Sequence, residues 1–483
     1  MLALALCSTN MPLQTIFAEE FTSGNPDVVS EEETPEIFTN EEQEAVGETD
    51  EELSVFSSEE VPEFNDAPDE AMAAAENEQA GEIDLTTSNK VVNGVYTISS
   101  AGDHKFICSQ ETGNRIVVDG EGISPEDSIN IYLNKVNINT SAGPALRINL
   151  NVEATVTIHL TGTNSLITKD NWYAGLQKDN EARLIIKTNN SDATAGILNA
   201  RSIDGDGAGI GGGYYGTGSC SNIIIDSCSV IASSKYGAGI GGSKQHAGSD
   251  ITINSSSVTA SSTDGAGIGG GKGYGGSCKN ITINGGSVKA SSVSGSPTNE
   301  GKEVYCCTIE NPENANVTIK TGTGSRVWDW KPVNHSSLDP DDTNLYVWLP
   351  KLEGNSTNSY LIILDPENGS ESRTRNYSFD TVTNTFKAAQ VVDDFIFKSP
   401  VNLTYDGQPK EASLEFKFKP THENDRTILL KYYKGKYENI KDNIDTIEPL
   451  QGAPVNAGTY TVKAQIAASE SYFAHNGLES LYY

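Results

Sequence analysis

A glycine-rich hexapeptide, Gly-Ala-Gly-Ile-Gly-Gly, offers the most obvious chemistry in the sequence, because it fits the G-x-G-x-x-G pattern of dinucleotide-binding loops. It occurs at residues 207–212, 237–242 and 265–270. In a dinucleotide site these glycines join a strand to a helix whose N–H groups meet the pyrophosphate. Here a run of β-type residues follows the first copy, without any helical period of apolar residues. Together with the repetition, this argues against a nucleotide cofactor and favours small residues packed where backbones approach closely.

The second candidate chemistry is carbohydrate recognition by aromatic side chains close to these glycines. An aromatic ring covers the C–H side of a sugar, while amides and carboxylates bind its hydroxyl groups. Six aromatic residues lie in or beside turns rich in Asn, Ser and Thr, and they form the predicted binding site: Trp172, Tyr173, Tyr214, Tyr215, Tyr236 and Tyr274. The alternative interpretation is that these rings only cover the edges of the fold and bind nothing.

The elements that position these residues recur at a nearly fixed period. The hexapeptides begin 30 and 28 residues apart, and each is followed by an Ile-rich pair and then by a Val-x-Ala segment. Three short strands repeated at this spacing predict an all-β fold, a right-handed parallel β-helix whose stacked coils bury ladders of Ile, Val and Ala. Dividing residues 91–320 by the repeat length predicts about eight coils, with Val317 and Ile319 in one of the last strands.

The repeats resemble the pectate-lyase-like β-helix superfold and, more narrowly, secreted bacterial proteins with GAGIGGG units that are labelled carbohydrate-binding domain-containing. This resemblance covers about half of the chain. Hydrolases of the superfold share N-T-D, G-H-G and R-x-K segments, which the repeat region lacks, and His246 lies in an unrelated context. Lyases use acidic clusters for Ca²⁺ and an arginine base, but no arginine occurs between Arg201 and Arg326. Asp204 and Asp206 are interpreted as turn residues, so no catalytic or metal-binding residue is predicted.

The C-terminal residues carry a second resemblance. The segments Leu403–Pro409, which contains Tyr-Asp-Gly, and Asn456–Val462 resemble the MBG or YDG type of bacterial immunoglobulin-like module. This implies a β-sandwich that serves as a spacer in surface proteins, and we expect Tyr472 to fill a core position in it. The sequence leaves open whether the module is complete at Tyr483. Residues 326–390 predict a small β unit between the two parts.

Charge is distributed unevenly. Of the formal net charge of −33, residues 19–84 contribute 24 acidic side chains and no lysine or arginine, which leaves −9 for the rest. Such a segment is predicted to be a disordered acidic linker, with partner binding as the alternative. An acidic surface disfavours nucleic acid as a partner. The apolar start, residues 1–18, is interpreted as a partial signal peptide, and no stretch elsewhere is long and apolar enough for a membrane span.

These inferences divide the chain into five parts: a signal peptide (1–18), an acidic linker (19–84), a β-helix (85–325), a small β unit (326–390) and an immunoglobulin-like domain (391–483). The predicted function is that of a non-catalytic, secreted or cell-surface protein of the adhesin or glycan-binding type, without cofactors. Its predicted partner is a polysaccharide or a host or cell-wall glycan. The alternatives are a β-helix polysaccharide lyase or glycoside hydrolase, and a purely structural stalk. The identity of the ligand and the oligomeric state stay open.

The cysteines do not form a zinc-binding pattern, and their pairing cannot be chosen from the sequence. The six that follow the predicted signal peptide are Cys108, Cys220, Cys228, Cys278, Cys306 and Cys307. Cys220 and Cys278 each lie 13 residues after the first glycine of their repeat. Two coils apart, at about 4.8 Å per layer, they would be about 9.6 Å from one another, which is too far for a disulfide. We therefore expect buried thiols that face inward.

Overall fold

The computed structural model describes most of the chain from residue 81 onward. The described ranges are 81–189, 196–214, 218–273, 278–311, 313–331, 342–352, 359–391, 394–417, 427–437, 447–469, 471–476 and 481–482. The predicted signal peptide and all but the last four residues of the predicted acidic linker lie outside these ranges. The described residues contain no α-helix, and so none that is long and apolar enough to cross a membrane.

Short parallel strands form the first and larger part of the described chain. In order they are β1 (Ile83–Asp84), β2 (Val95–Ile98), β3 (Gly102–Ile107), β4 (Arg115–Val118), β5 (Ser128–Asn134), β6 (Asn137–Thr140), β7 (Leu146–Ile148), β8 (Thr155–Thr161), β9 (Thr163–Thr168), β10 (Leu176–Lys178), β11 (Leu184–Thr188), β12 (Ile197–Ser202), β13 (Ile210–Gly211), β14 (Ile223–Asp226), β15 (Ser229–Ser234), β16 (Ile240–Gly241), β17 (Ile251–Ser262), β18 (Ile268–Gly269) and β19 (Ile281–Ala290).

These strands make three faces, and each strand pairs in parallel with its equivalent in the next coil. The first face contains β1, β3, β5, β8, β11, β14 and the first halves of β17 and β19. The second face contains β6, β9, β12, β15 and the second halves of the same two long strands. The third face contains β2, β4, β7, β10, β13, β16 and β18. The predicted parallel β-helix is confirmed.

Alternating side chains fill the interior of each coil. On the first face Ile225, Ile253 and Ile283 stack in register, and each is at most 1% exposed. Equivalent ladders come from the Val-x-Ala segments on the second face and from Ile210, Ile240 and Ile268 on the third. Period-2 alternation therefore places one side of every strand in a continuous apolar core.

The glycine hexapeptides lie on the third face, where the neighbouring coil leaves no space for a side chain at several of their glycines. Gly211 and Gly241 have φ angles of +129° and +138°, which favour glycine. A Cβ at Gly241 would collide with the carbonyl oxygen of Gly269, and one at Gly211 with that of Gly241. The string is therefore required by coil stacking.

The number of coils is smaller than predicted. Five consecutive coils contribute a strand to all three faces, and isolated bridges at Thr112 and Val293 complete one more coil at each end, in place of the expected eight or so. The prediction assigned Val317 and Ile319 to the β-helix, and this was wrong. Their strand pairs antiparallel with residues 360–365, and both side chains are buried in a separate core.

That separate core belongs to an antiparallel unit that begins before residue 326. Its strands are β20 (Thr298–Asn299), β21 (Lys302–Glu310), β22 (Asn316–Thr321), β23 (Arg326–Trp330), β24 (Asn344–Pro350), β25 (Ser359–Asp365), β26 (Arg373–Asp380) and β27 (Thr385–Ala388). β21 pairs with β24, and β22 pairs with β25. Cys307, Tyr360, Tyr377 and Phe386 are among its buried residues.

This unit is attached to the last coil of the β-helix by polar contacts and one tryptophan. The backbone N–H of Tyr346 donates to Ser287 Oγ (3.0 Å), and Trp348 Nε1 donates to the carbonyl of Val288 (2.9 Å). Lys289 forms an ion pair with Asp342. The Trp348 ring also packs against the apolar core of the β-helix, so strand β24 covers part of the final coil.

The C-terminal residues form two small antiparallel sheets, one of β28 (Phe395–Lys398) and β29 (Ser413–Phe416) and one of β30 (Ile428–Lys434), β31 (Tyr460–Ile466), β32 (His475–Asn476) and β33 (Leu481–Tyr482). Phe395 packs with Ala464 and Ile466 across the two sheets. Tyr472 is buried as expected, but in the core of the preceding unit, because its backbone bridges to Ala388.

The six cysteines of the described chain form no disulfide. Cys220, Cys228 and Cys278 lie in the core of the β-helix, and Cys307 lies in the core of the antiparallel unit. Burial raises the pKa of the Cys220 and Cys228 thiols to about 12. The expected inward-facing thiols at Cys220 and Cys278 are therefore observed.

Replacing Gly241 by alanine tests the role of the glycine string. The added Cβ has no space and the φ angle is unfavourable, so we expect the free energy of unfolding to fall by about 3 kcal/mol or more. Gly113→Ala is the matched control, since a Cβ there would meet only the Asn139 carbonyl oxygen at 4.0 Å. Urea unfolding followed by circular dichroism measures both variants. Equal stability of the two would contradict the requirement for glycine.

Candidate functional site

Two turn positions repeat beside the third face, and backbone hydrogen bonds join them across coils. One position precedes the first glycine of each hexapeptide, and the other lies seven residues after that glycine. The N–H of the second position donates to the carbonyl of the first position in the preceding coil. These three rungs join Tyr214 to Trp172 (2.7 Å), Lys244 to Asp206 (2.8 Å) and Lys272 to Tyr236 (2.8 Å).

Side chains of each rung also contact one another. The rings of Trp172 and Tyr214 have centroids 5.3 Å apart at an interplanar angle of 36°. In the next rung, Lys244 Nζ lies 3.1 Å from the Asp206 carboxylate. In the third, Lys272 Nζ lies 5.2 Å from the centroid of the Tyr236 ring. The three rungs therefore differ in their side-chain contacts: the first is aromatic, the second is ionic, and the third joins a cation to an aromatic ring.

Tyr236 connects the rungs, because three ammonium groups surround its ring. The Nζ atoms of Lys235, Lys244 and Lys272 lie 5.1 to 5.2 Å from the ring centroid. A hydrogen bond with the Tyr236 hydroxyl raises the pKa of Lys235, and the negative charge of Asp204 acts in the same direction. Contacts of this kind at a solvated surface are individually weak.

Each of these lysines also has a carboxylate partner. Lys235 is 3.5 Å from Asp204, Lys244 pairs with Asp206, and Lys272 is 3.1 Å from Asp264. The surface is thus locally neutral although it is rich in hydrogen-bond donors and acceptors. We call this surface the edge cluster; its members are Trp172, Asp204, Asp206, Tyr214, Lys235, Tyr236, Lys244, Asp264 and Lys272.

A buried carboxylate holds the loop that carries Tyr214. Asp179 accepts hydrogen bonds from the N–H of Gly213 and from Gln177 Nε2, each at 2.7 Å. Burial raises the pKa of Asp179 to about 6, although both hydrogen bonds act in the opposite direction. Because Gly213 immediately precedes Tyr214, this carboxylate positions the aromatic rung.

A histidine supports the same loop from the following coil. The His246 ring meets Tyr214 edge-on, with centroids 6.3 Å apart. Its Nδ1 lies 3.0 Å from Ser243 Oγ and 2.9 Å from the carbonyl of Lys244. A side chain at Gly218 would collide with the imidazole. His246 therefore acts here as a packing residue between two loops.

The structure brings together half of the predicted binding residues. Trp172, Tyr214 and Tyr236 belong to the edge cluster, and the Trp172 side chain is the most exposed of them (38%). Tyr173 is half-buried in the turn of Trp172, and its carbonyl accepts a hydrogen bond from Ser202 Oγ (2.9 Å). Tyr215 and Tyr274 lie outside the described residues.

Sequence reasoning missed the charged members of the edge cluster. Tyr214, Lys244 and Lys272 each lie seven residues after the first glycine of a hexapeptide. Attention to residue position within the repeat, in place of residue type, would have found the two lysines. In the described residues no group of three or more His, Cys, Asp or Glu side chains is arranged to hold a metal ion.

Comparison with known proteins agrees with the observed architecture. A family model described as a beta helix repeat matches residues 251–272 and 281–296, which contain strands of the last coils. The molecule is a parallel β-helix protein. No curated protein matches the chain, and no solved structure matches it.

The stability of the β-helix should report the buried Asp179 carboxylate. Its folded pKa of about 6 lies above the ordinary value of 3.8, so the folded state binds the proton more tightly than the unfolded state. Stability from this group is therefore greatest below pH 4 and is lost as the pH rises to about 6. Relative to Asp179→Asn, the wild type should lose about 2 kcal/mol between pH 4 and pH 7.

Urea unfolding of both proteins at several pH values measures this difference. A constant offset between the variants would come from the altered hydrogen bonds to Gly213 and Gln177 and does not affect the result. A stability difference that stays the same from pH 4 to pH 7 would show that Asp179 does not titrate in this range.

Proposed function

We propose that the protein is a non-catalytic, secreted or cell-surface protein that binds a glycan along the edge cluster. The observation that carries this proposal is the row formed by Trp172, Tyr214 and Tyr236 with paired lysines and aspartates between the rings. Rings of this kind accept the C–H side of a sugar, and the ion pairs offer donors and acceptors to hydroxyl groups. The rungs follow successive coils, which suits an extended chain of sugars.

The carboxylates of the edge cluster favour binding over catalysis. Hydrolysis of a glycosidic bond uses two carboxyl groups on either side of the scissile bond, one of which carries a proton. Asp206 and Asp264 are instead each held by a lysine within 3.1 Å.

The C-terminal part fits a spacer that presents the β-helix. We infer that residues from 391 onward form an immunoglobulin-like module of the MBG or YDG type, as the Tyr-Asp-Gly segment suggests. Two facing antiparallel sheets are consistent with a sandwich. Tyr405 of that segment is 66% exposed. We propose a spacer role for the acidic segment before residue 85 as well.

Loss of the three aromatic rings should strongly weaken glycan binding. We expect the full chain to bind members of a glycan array, and Trp172→Ala/Tyr214→Ala/Tyr236→Ala to bind the same glycans about 100-fold more weakly. This corresponds to about 1 kcal/mol per ring. Tyr405→Ala is the control, because it removes an exposed ring outside the β-helix. Unchanged binding by the triple variant, or no binding by the wild type, would refute the assignment.

The proposal also predicts that a bound glycan stays intact. After prolonged incubation with the protein, a glycan identified on the array should show no new reducing ends and no unsaturated products. Both are measured by colorimetric and ultraviolet assays. Appearance of either product in the wild type, but not in a heat-inactivated sample, would show that the protein is an enzyme.

A further inference from the structure

A row of charged and aromatic side chains runs along the outside of the first face. Lys105 on β3, Tyr132 on β5, His159 on β8 and Lys187 on β11 are paired in register from one coil to the next. They lie 27, 27 and 28 residues apart in the sequence. We call these four residues the first-face row. It lies on a different face from the glycine hexapeptides and does not include any edge-cluster residue.

The two rings in the middle of the row stack on one another. The Tyr132 and His159 centroids are 4.4 Å apart with an interplanar angle of 11°. Lys105 Nζ lies 5.7 Å from the centroid of Tyr132, and burial together with the charge of Lys187 lowers the pKa of His159. Lys105 and Lys187 therefore flank the aromatic pair at its two ends. Tyr132 and His159 each cover one face of the other ring.

The two lysines of the row differ from those of the edge cluster. Among the described residues, no carboxylate lies within ion-pair distance of Lys105 or Lys187, whereas Lys235, Lys244 and Lys272 each have one. Two nearby acids are bound by amides: Asn130 Nδ2 donates to Asp103 (2.9 Å), and Asn134 Nδ2 donates to Glu82 (3.1 Å). Asp226 on β14 is the in-register neighbour of Lys187. Neither lysine has an ion-pair partner among the described residues, so the row carries two positive charges that no direct carboxylate contact neutralises there.

A groove of about 400 Å³ runs beside the row. It is lined by polar side chains, namely Glu82, Asp103, Lys105, Tyr132, Asn134, Thr161 and Asn189. Hydroxyl, amide and carboxylate groups of this kind bind the hydroxyl groups of sugars. Nucleic acid fits less well, because the bases would need a free ring face for stacking, and Tyr132 and His159 occupy each other.

We propose that the first face holds a second binding site, which takes an anionic glycan whose carboxylate or sulfate groups pair with Lys105 and Lys187. The two lysines are three layers apart, or about 14 Å at about 4.8 Å per layer, so the ligand must extend along the coils and carry more than one negative charge. Sugar hydroxyl groups between them face the amide and hydroxyl groups of the groove. The proposal does not depend on the edge cluster.

Binding of the full chain to alginate, dextran sulfate and neutral dextran tests the proposal, with immobilised polymers and biolayer interferometry at low salt. We expect the first two to bind and dextran to bind at least 10-fold more weakly. Lys105→Gln/Lys187→Gln should lose at least 10-fold in affinity for the anionic polymers. Lys169→Gln/Lys279→Gln, which makes the same change of charge at exposed positions elsewhere on the β-helix, should bind as the wild type does.

The results separate this proposal from the edge cluster. The triple aromatic variant should keep its affinity for the anionic polymers, because none of its substitutions lies in the first-face row. Equal loss in both lysine pairs would indicate an effect of net charge alone, and equal affinity of Lys105→Gln/Lys187→Gln and wild type would overturn the site. No binding to either anionic polymer would also overturn it, as would tighter binding to a single-stranded oligonucleotide. Circular dichroism checks that each variant is folded.

Discussion

The in-register pairing of one coil with the next is the constraint on which the rest of this molecule depends. Parallel hydrogen bonds hold successive backbones about 4.8 Å apart, and every residue therefore stands above its equivalent in the preceding coil. Inside the coils this stacks Ile on Ile, as at Ile253 and Ile283. At the third face it leaves no space for a Cβ at Gly241. Both the apolar ladders and the glycine string result from the same spacing.

The same spacing converts scattered surface residues into rows. Tyr214, Lys244 and Lys272 occupy one position of three repeats, and their N–H groups contact the preceding coil in the same way. Variation of residue type at a fixed position then decides whether a rung is aromatic or ionic. A repeat protein can in this way change its surface chemistry one coil at a time while its interior stays the same.

Much of the β-helix could be predicted because its period is visible in the sequence. The Ile-rich and Val-x-Ala segments after each hexapeptide marked three strands per coil, and they were found as β13, β14 and β15 in the first copy. The end of the β-helix could not be predicted, since the alternation at Val317 and Ile319 looks the same in parallel and antiparallel strands. Tyr472 could not be placed either, because its contacts join residues far apart in the chain.

The attachment of the antiparallel unit to the last coil has a mechanical consequence. A stack of coils that is pulled at one end can peel, because the outermost strand has a neighbour on one side only. Strand β24 gives that final strand a second neighbour through Trp348, Tyr346 and the Lys289–Asp342 ion pair. A tensile load applied from the C-terminal side must separate these contacts before it can unwind the β-helix. The antiparallel unit therefore adds two hydrogen bonds and an ion pair that hold the last coil in place.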